Sequence, residues 1–355
     1  MSAALFAFAL PVVVEGALRW WRPTPCPSAA ASELMACLHT YSETYGWELR
    51  PGTSLAIPAG HITIDAHGRR VGTVPDRARA RLVSLGDSVA FGLDVDDQAT
   101  MAAQLRTLVP GLDVVDLSVP GYGTDQERIK LEREGLAPAP QVVLLHFCLA
   151  NDLADNALPV FLYDGVHPKP YFRLQGGALE LHAEHLRLAP AARTALWLSE
   201  HSVLFNLLSP GRGGRVLAAQ AGGPESVHWQ TRYNEVMARP EPLVDLAARL
   251  LESMDDLARG VGARLVVAVH PTRHSFAEGS APAVELRARL AAKGVPTVDL
   301  AESYRARGLA LPDLATDGLG HLNARGHRAA AEAVRDALVE TGALSASPPP
   351  PRSAE

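Results

Sequence analysis

Arg81-Leu82-Val83-Ser84-Leu85-Gly86-Asp87-Ser88-Val89-Ala90-Phe91-Gly92 is a short aliphatic run that stops abruptly at a Gly-Asp-Ser turn. Such a run, closed by a glycine and a helix-capping pair, predicts a strand over Arg81–Leu85 followed at once by a helix start. Working outward, similar runs occur at Val114–Leu117, Gln141–Phe147 and Arg264–Val269, with a weaker one at Thr297–Leu300. Helical patterns fall between and after them, at Gln98–Val109, Asp125–Glu134, Pro242–Arg259, Ala283–Ala292 and Ala324–Glu340. Strand and helix in alternation predict an α/β fold: a three-layer α/β/α, doubly wound parallel sheet. Val142-Val143-Leu144-Leu145 and Leu265-Val266-Val267-Ala268-Val269 carry no polar alternation, as strands covered on both faces require.

Composition narrows the function classes. The chain has 355 residues, 47% of them hydrophobic and 20% charged, which excludes a disordered chain. With 33 Lys+Arg against 39 Asp+Glu the net charge is −6, and the basic excess of a nucleic-acid binder is missing. The three cysteines, Cys26, Cys37 and Cys148, form no zinc-spaced cluster, so no metal or cofactor is expected. Cys26 and Cys37 are close enough to bridge in an oxidising compartment; Cys148, inside an apolar run, reads as a small buried hydrophobe.

Four polar blocks sit where ligands bind in such folds, beyond the carboxyl ends of strands. Ser88 follows the first strand. Gly121, in Val119-Pro120-Gly121-Tyr122-Gly123-Thr124, follows the second and can aim a backbone N–H into the same crevice as that of Ser88. Asn151, after Cys148-Leu149-Ala150, brings a neutral amide donor. Near the C-terminus, Asp317-Gly318-Leu319-Gly320-His321 places an imidazole and a carboxylate on one loop before the last helix, while His327, inside that helix, reads as structural. A serine nucleophile needs an imidazole base and an acceptor that fixes its tautomer. Each block taken singly also fits an ordinary turn or helix cap.

Together and in this order, the blocks resemble the SGNH/GDSL hydrolase family, in particular its bacterial and often membrane-anchored branch. The resemblance covers about residues 80–151 and 261–341. It implies a flavodoxin-like sheet order, Ser88, His321 and Asp317 as a catalytic triad, and Ser88, Gly121 and Asn151 as the oxyanion hole. The intervals of 33 residues from Ser88 to Gly121 and 30 from Gly121 to Asn151 each equal one strand–helix unit. Two positions depart from the family pattern. Leu149 stands where a glycine usually precedes the asparagine, and Asp317 precedes the histidine by four residues rather than three or two. Gly318 and Gly320 can absorb the extra residue as a bulge; Asp313 and a backbone carbonyl are the alternatives for orienting His321.

The implied activity is hydrolysis of short acyl esters, O-acetyl groups on carbohydrate above all, through an acyl-enzyme. The same triad would serve an O-acyltransferase acting on a polysaccharide, and a non-catalytic carbohydrate-binding relative is the third reading. The substrate-binding residues are not fixed by the sequence; Trp197, Trp229, Tyr163 and Tyr171 are stacking candidates that also fit a local core. The remaining chain divides into an apolar N-terminal segment (1–25), a lead-in with a small hairpin (26–80), the hydrolase domain (81–343) with an insertion at about 153–240 around one helix, Ala191–Leu208, and a disordered tail (344–355). Ala3–Val14 is apolar, interrupted by Pro11, and followed by Arg19-Trp20-Trp21-Arg22. It is too short to span a bilayer and reads as a signal-anchor remnant with its tryptophan pair at the interface, which sets the expected location as periplasmic or otherwise extracytoplasmic.

Overall fold

The computed structural model describes residues 3–21, 37–72, 80–209, 213, 215, 216, 219 and 228–344. Its strands in chain order are β1 (His39–Ser42), β2 (Gly46–Leu49), β3 (Ser54–Ile57), β4 (Gly60–Thr63), β5 (Ala80–Leu85), β6 (Leu112–Asp116), β7 (Val142–Cys148), β8 (Tyr171–Gln175), β9 (Ala178–His182), β10 (Arg264–His270) and β11 (Thr297–Asp299). Two compact units result. One takes in the described residues of 1–50, 159–170 and 182–232, the other those of 51–158, 171–181 and 233–355.

The second unit holds a five-stranded sheet in the order β11-β10-β7-β5-β6, parallel at every pairing. It is an α/β fold with helices on both faces. Alternate residues of each strand feed separate cores. Leu82, Leu144 and Val266 pack with Met101, Leu105, Ala330 and Val334 on one face. Val83, Val143, Leu145 and Val267 pack with Val244, Leu251, Met254 and Leu290 on the other. Both sets of side chains are buried, which explains the uninterrupted apolar runs of β7 and β10. The chain leaves β5, adds β6 on one side and then crosses to add β7, β10 and β11 on the other. Reversal of winding at β5 opens a crevice beyond the carboxyl ends of β5 and β7, the topological switch point of such sheets.

Helix limits follow local chemistry. Asn323 caps the last helix, Ala324–Glu340, its carboxamide accepting from Gly326 N at 3.0 Å. Thr100 caps Met101–Leu108 by accepting from Ala103 N, so the pattern predicted over Gln98–Val109 splits into a single 3₁₀ turn, Asp97–Ala99, and that helix. The helix Thr124–Lys130 runs on into one wide turn, Leu131–Gly135. A second hairpin lies in the lead-in beside the one the sequence predicts. β1 pairs with β2 in the first unit, while β3 pairs with β4 in the second, extended by an isolated pairing of Ile64 with Arg70.

In the first unit the expected single helix over Ala191–Leu208 is two, Pro190–His201 and Val203–Leu208. Ser202 between them is extended, and its hydroxyl accepts from Phe205 N at 3.0 Å, an N-cap that restarts the helix. Ala3–Trp21 is one continuous helix through Pro11, whose missing N–H removes one hydrogen bond without ending the element. Glu15 of this helix caps Val203–Leu208, accepting from Val203 N and Leu204 N at 3.1 and 3.0 Å. Burial opposes its charge, but Arg19, Ser202 and these amides hold the Glu15 carboxyl down at about 2. Cys37 is disulfide-bonded and Cys148 is free and buried. Cys26 and the tail from Ser345 onward lie outside the described residues. Among the described residues no helix is long and apolar enough to cross a membrane.

Candidate active site

Ser88 opens the short helix Ser88–Phe91 immediately after β5. Asp87 caps that helix, its carboxyl accepting from Val89 N at 2.8 Å, so the Gly-Asp-Ser turn aims the serine outward by the same bond that starts the helix. Standing at the first helical position, the Ser88 N–H has no acceptor within the helix. Gly86 has no room for a side chain: a Cβ there would lie 2.5 Å from that of Ala90 and 2.9 Å from that of His146.

The partner of Ser88 comes from the other end of the chain. Ser88 Oγ lies 2.7 Å from His321 Nε2. His321 Nδ1 lies 2.6 Å from Asp317 Oδ2. The four-residue spacing is accommodated by the carboxylate itself: Asp317 Oδ1 accepts from the backbone N–H groups of Leu319, Gly320 and His321 at 2.9, 2.9 and 3.1 Å. The loop thus folds around its own aspartate. Gly320 provides the needed freedom, with φ +106° and a Cβ position 2.6 Å from the carbonyl oxygen of Pro271, whereas Gly318 needs no such freedom. Asp313 is in the short helix Leu311–Leu314, where its backbone carbonyl, not its carboxylate, accepts from the Asn323 side chain.

Charge is arranged to match. Burial works against an imidazolium at His321, yet the hydrogen bond and charge of Asp317, with Asp87 and Asp94 beyond, raise its pKa above the ordinary histidine value. Burial would likewise raise Asp317; the His321 contact and the loop amides hold it down at about 2. A neutral His321 able to accept the serine proton is therefore the form present above its raised pKa.

The loops after β6 and β7 border the same point. Beyond the end of β6 the sheet pairing continues, with Leu117 N donating to Ser84 O at 2.8 Å and Val119 N to Gly86 O at 2.9 Å. This holds the Pro120-Gly121 turn beside the Ser88 loop. Gly121 has φ +82°, the left-handed region, and Tyr122 after it is fully buried. Asn151 is 3% exposed and its side chain engages Asp87. Leu149, in the place of the usual glycine, has no left-handed backbone and donates its N–H to His270 O at 3.1 Å, so no glycine is required there.

Two features were not anticipated from the sequence. Arg70, 3% exposed, is aimed into the end of the Ser88–Phe91 helix. Its guanidinium donates to the carbonyls of Phe91, Gly92 and Val95 and to Asp97 Oδ1, the last at 3.0 Å, and lies 4.8 Å over the Phe91 ring. In the sequence it is one of an adjacent pair, Arg69-Arg70, with nothing to set it apart from its neighbour. The second is a buried string in which His146 bridges His270 Nε2 at 3.0 Å and Ser84 Oγ at 3.2 Å, across β5, β7 and β10. Burial holds both imidazoles below the ordinary histidine value, His270 at about 3, so the string is neutral. His327 is fully buried and accepts from Met101 N at 3.1 Å.

The stacking candidates are divided between the two units. Tyr163 and Trp229 face each other in the first unit with ring centroids 5.2 Å apart, and Trp197 there stacks on His201 at 4.7 Å. Tyr171 is on β8 of the second unit, under the Arg173 guanidinium. Among the described residues no group of three His, Cys, Asp or Glu side chains is placed to hold a metal ion.

No protein-family model matches the chain, and no curated protein matches it. Among solved structures it is similar to a catalytic mutant of Axe2, an acetylxylan esterase from Geobacillus stearothermophilus, with 11% identity over 74% of this chain and 95% of that one, at a TM-score of 0.40. It is similar to TesA, with 15% identity over 74% and 99% of the two chains and a TM-score of 0.40. A third likeness is to a member of the lipolytic protein G-D-S-L family from Veillonella parvula, 11% identical over 72% and 96%, with a TM-score of 0.37. The functional reading rests on the geometry above rather than on likenesses this distant.

Two outcomes are expected. Replacing Asp317 with Asn removes the anion that raises the His321 pKa, so the imidazole titration, followed by NMR of its ring protons, moves to lower pH; an unmoved titration contradicts the arrangement. Replacing Arg70 with Met leaves Asp97 and three carbonyls without their buried donor and lowers the unfolding free energy by about 3–5 kcal/mol in urea titration.

Proposed function

We propose that this chain is a serine esterase of the SGNH type, hydrolysing short acyl esters through an acyl-enzyme. The observation that carries the reading is the unbroken chain Ser88 Oγ, His321, Asp317, with contacts of 2.7 and 2.6 Å at the carboxyl end of β5. Ser88 Oγ attacks the ester carbonyl carbon as its proton passes to His321 Nε2. Asp317 stabilises the imidazolium formed. The tetrahedral oxyanion is taken by the Ser88 and Gly121 N–H groups and the Asn151 amide. Its collapse expels the alcohol, which takes the proton from His321, and leaves an acyl ester on Ser88. Water, deprotonated by the same imidazole, then attacks that ester; the acid leaves and Ser88 regains its proton.

The acyl group is read as acetyl and the alcohol as a carbohydrate hydroxyl, on the family resemblance carried by Ser88, Gly121, Asn151 and His321. Ser88→Ala and His321→Ala are expected to lower the release of acetate from an acetylated polysaccharide by ~10⁴-fold or more while circular dichroism stays unchanged. Near-full activity in either variant sinks the reading. Acetate that fails to appear in water but is transferred when an acceptor sugar is added would make the chain an O-acyltransferase instead. A wild-type chain that binds the polysaccharide, turns over neither way and takes no fluorophosphonate label on Ser88 would be a binding protein.

We assign the chain to an extracytoplasmic compartment, with its N-terminal helix lying on a membrane surface. The disulfide at Cys37 supports the first part. Supporting the second, Trp20 and Trp21 are 89% and 76% exposed beside the uncovered Leu10, Val12 and Val13 of the same helix. The full chain is expected to float with lipid vesicles and a Trp20→Glu/Trp21→Glu variant to stay behind. Equal flotation of the two would count against the assignment.

A further inference from the structure

The triad leaves unexplained why the segment after Asn151 buries so many polar groups. Asp152, Asp155 and Asn156 are all fully buried, as are Thr124, Asp125, Gln126 and Glu127 at the start of the helix that follows the Gly121 loop. Burial, compounded by neighbouring carboxylates, pushes Asp152 and Glu127 well above the usual range. Packing this many acids together opposes folding, and two of their interactions lead straight to the oxyanion donors.

The first is Asn151 Nδ2, which donates to Asp155 Oδ2 at 3.0 Å. An amide nitrogen has two hydrogens, and only one can serve this bond. With one N–H held by Asp155, the amide is kept from turning, and its other N–H faces the carboxyl of Asp87, the neighbour of Ser88. The second is Asn156 Oδ1, which accepts from Asp125 N at 3.1 Å. That bond ties the loop carrying Asn151 to the helix start just beyond Gly121. Gly123 between them is confined, since a Cβ there would lie 3.0 Å from both Asp155 Cβ and Asp125 Oδ1.

We propose that Asp155 is a positioning residue for the oxyanion hole: it fixes the Asn151 amide in the rotamer that presents an N–H to the substrate oxyanion, with Asn156 holding the Asn151 and Gly121 loops in register. This rests on the esterase reading and extends it to residues that touch no substrate. A preorganised donor avoids reorganisation as charge develops, so an amide free to turn stabilises the transition state less while substrate binds as before.

A double-mutant cycle tests this on a short acyl ester. Asp155→Ala is expected to lower kcat about 10–10²-fold, less than the ~10²–10³ of losing a donor outright, with KM within about threefold. Asp155→Asn, which keeps an acceptor oxygen, retains most of the activity. In an Asn151→Ala background, Asp155→Ala costs little more, because the group it positions is gone. Losses that multiply, or an Asp155→Ala enzyme with wild-type kcat, overturn the proposal. A crystal structure of Asp155→Ala provides a readout independent of turnover: the Asn151 amide is expected to leave its wild-type rotamer, and one that stays overturns the proposal even if activity falls. Failure of the esterase reading itself would show separately, as a wild-type chain without turnover or label on Ser88.

Discussion

β5 is hydrogen-bonded along both edges, to β6 on one side and β7 on the other, and the rest of the catalytic unit is arranged around that fact. Because the chain winds one way to reach β6 and the other way to reach β7, the loops leaving the three strands diverge and cannot cover one another. Ser88, Gly121 and Asn151 each stand at the exit of one of these strands. None of the three needs a specialised scaffold; the sheet's change of direction places them. The fourth component, the Asp317–His321 loop, is brought to the same spot by the last helix, which packs in the same core as Leu82 and Leu144.

Much of this was legible because strand exits are written locally. An apolar run that halts at Gly-Asp-Ser announces both its end and its cap, and β5, β7 and β10 begin and end within a residue of the limits their sequences suggest. The spacing of Asp317 and His321 was harder to interpret, since spacing does not reveal that a carboxylate can accept three amides from the loop it begins. Leu149 was similarly opaque. Whether a position needs glycine depends on its φ, and the direction the chain takes there follows from a bond to His270 on another strand. The break at Ser202 was missed because the apolar periodicity on its two sides is in phase, and a capping serine is indistinguishable from a surface one until its backbone is seen.

The site lies against an interior that is unusually polar. On one side is the neutral string Ser84, His146 and His270; on another is the group of buried carboxyls around Asp152 and Glu127. Burial, with like-charged neighbours beside it, disfavours the charged form of both the histidines and the carboxyls, which suits each group to giving hydrogen-bonding direction rather than charge. The Asp317–His321 pair is the contrast. It is partly open to solvent, its carboxyl is held down at about 2, and its imidazole is tuned upward. Fixed dipoles inside and a titrating pair at the rim suit a reaction in which a proton must move while the groups that receive charge must not.

Arg70 changes where the catalytic unit begins. The candidate site residues all lie between Ser88 and His321, so the motifs would set its start at β5. Yet the guanidinium that closes the Ser88–Phe91 helix comes from ten residues before β5, and it reaches the carbonyls of Phe91 and Gly92 from outside the sheet. A chain cut to start at Ala80 would retain Ser88, Gly121, Asn151, Asp317 and His321 and lose the clasp on the serine's own helix. The unit that holds the Ser88 helix is therefore longer than the motifs that mark it, and the lead-in of β3 and β4 belongs to it.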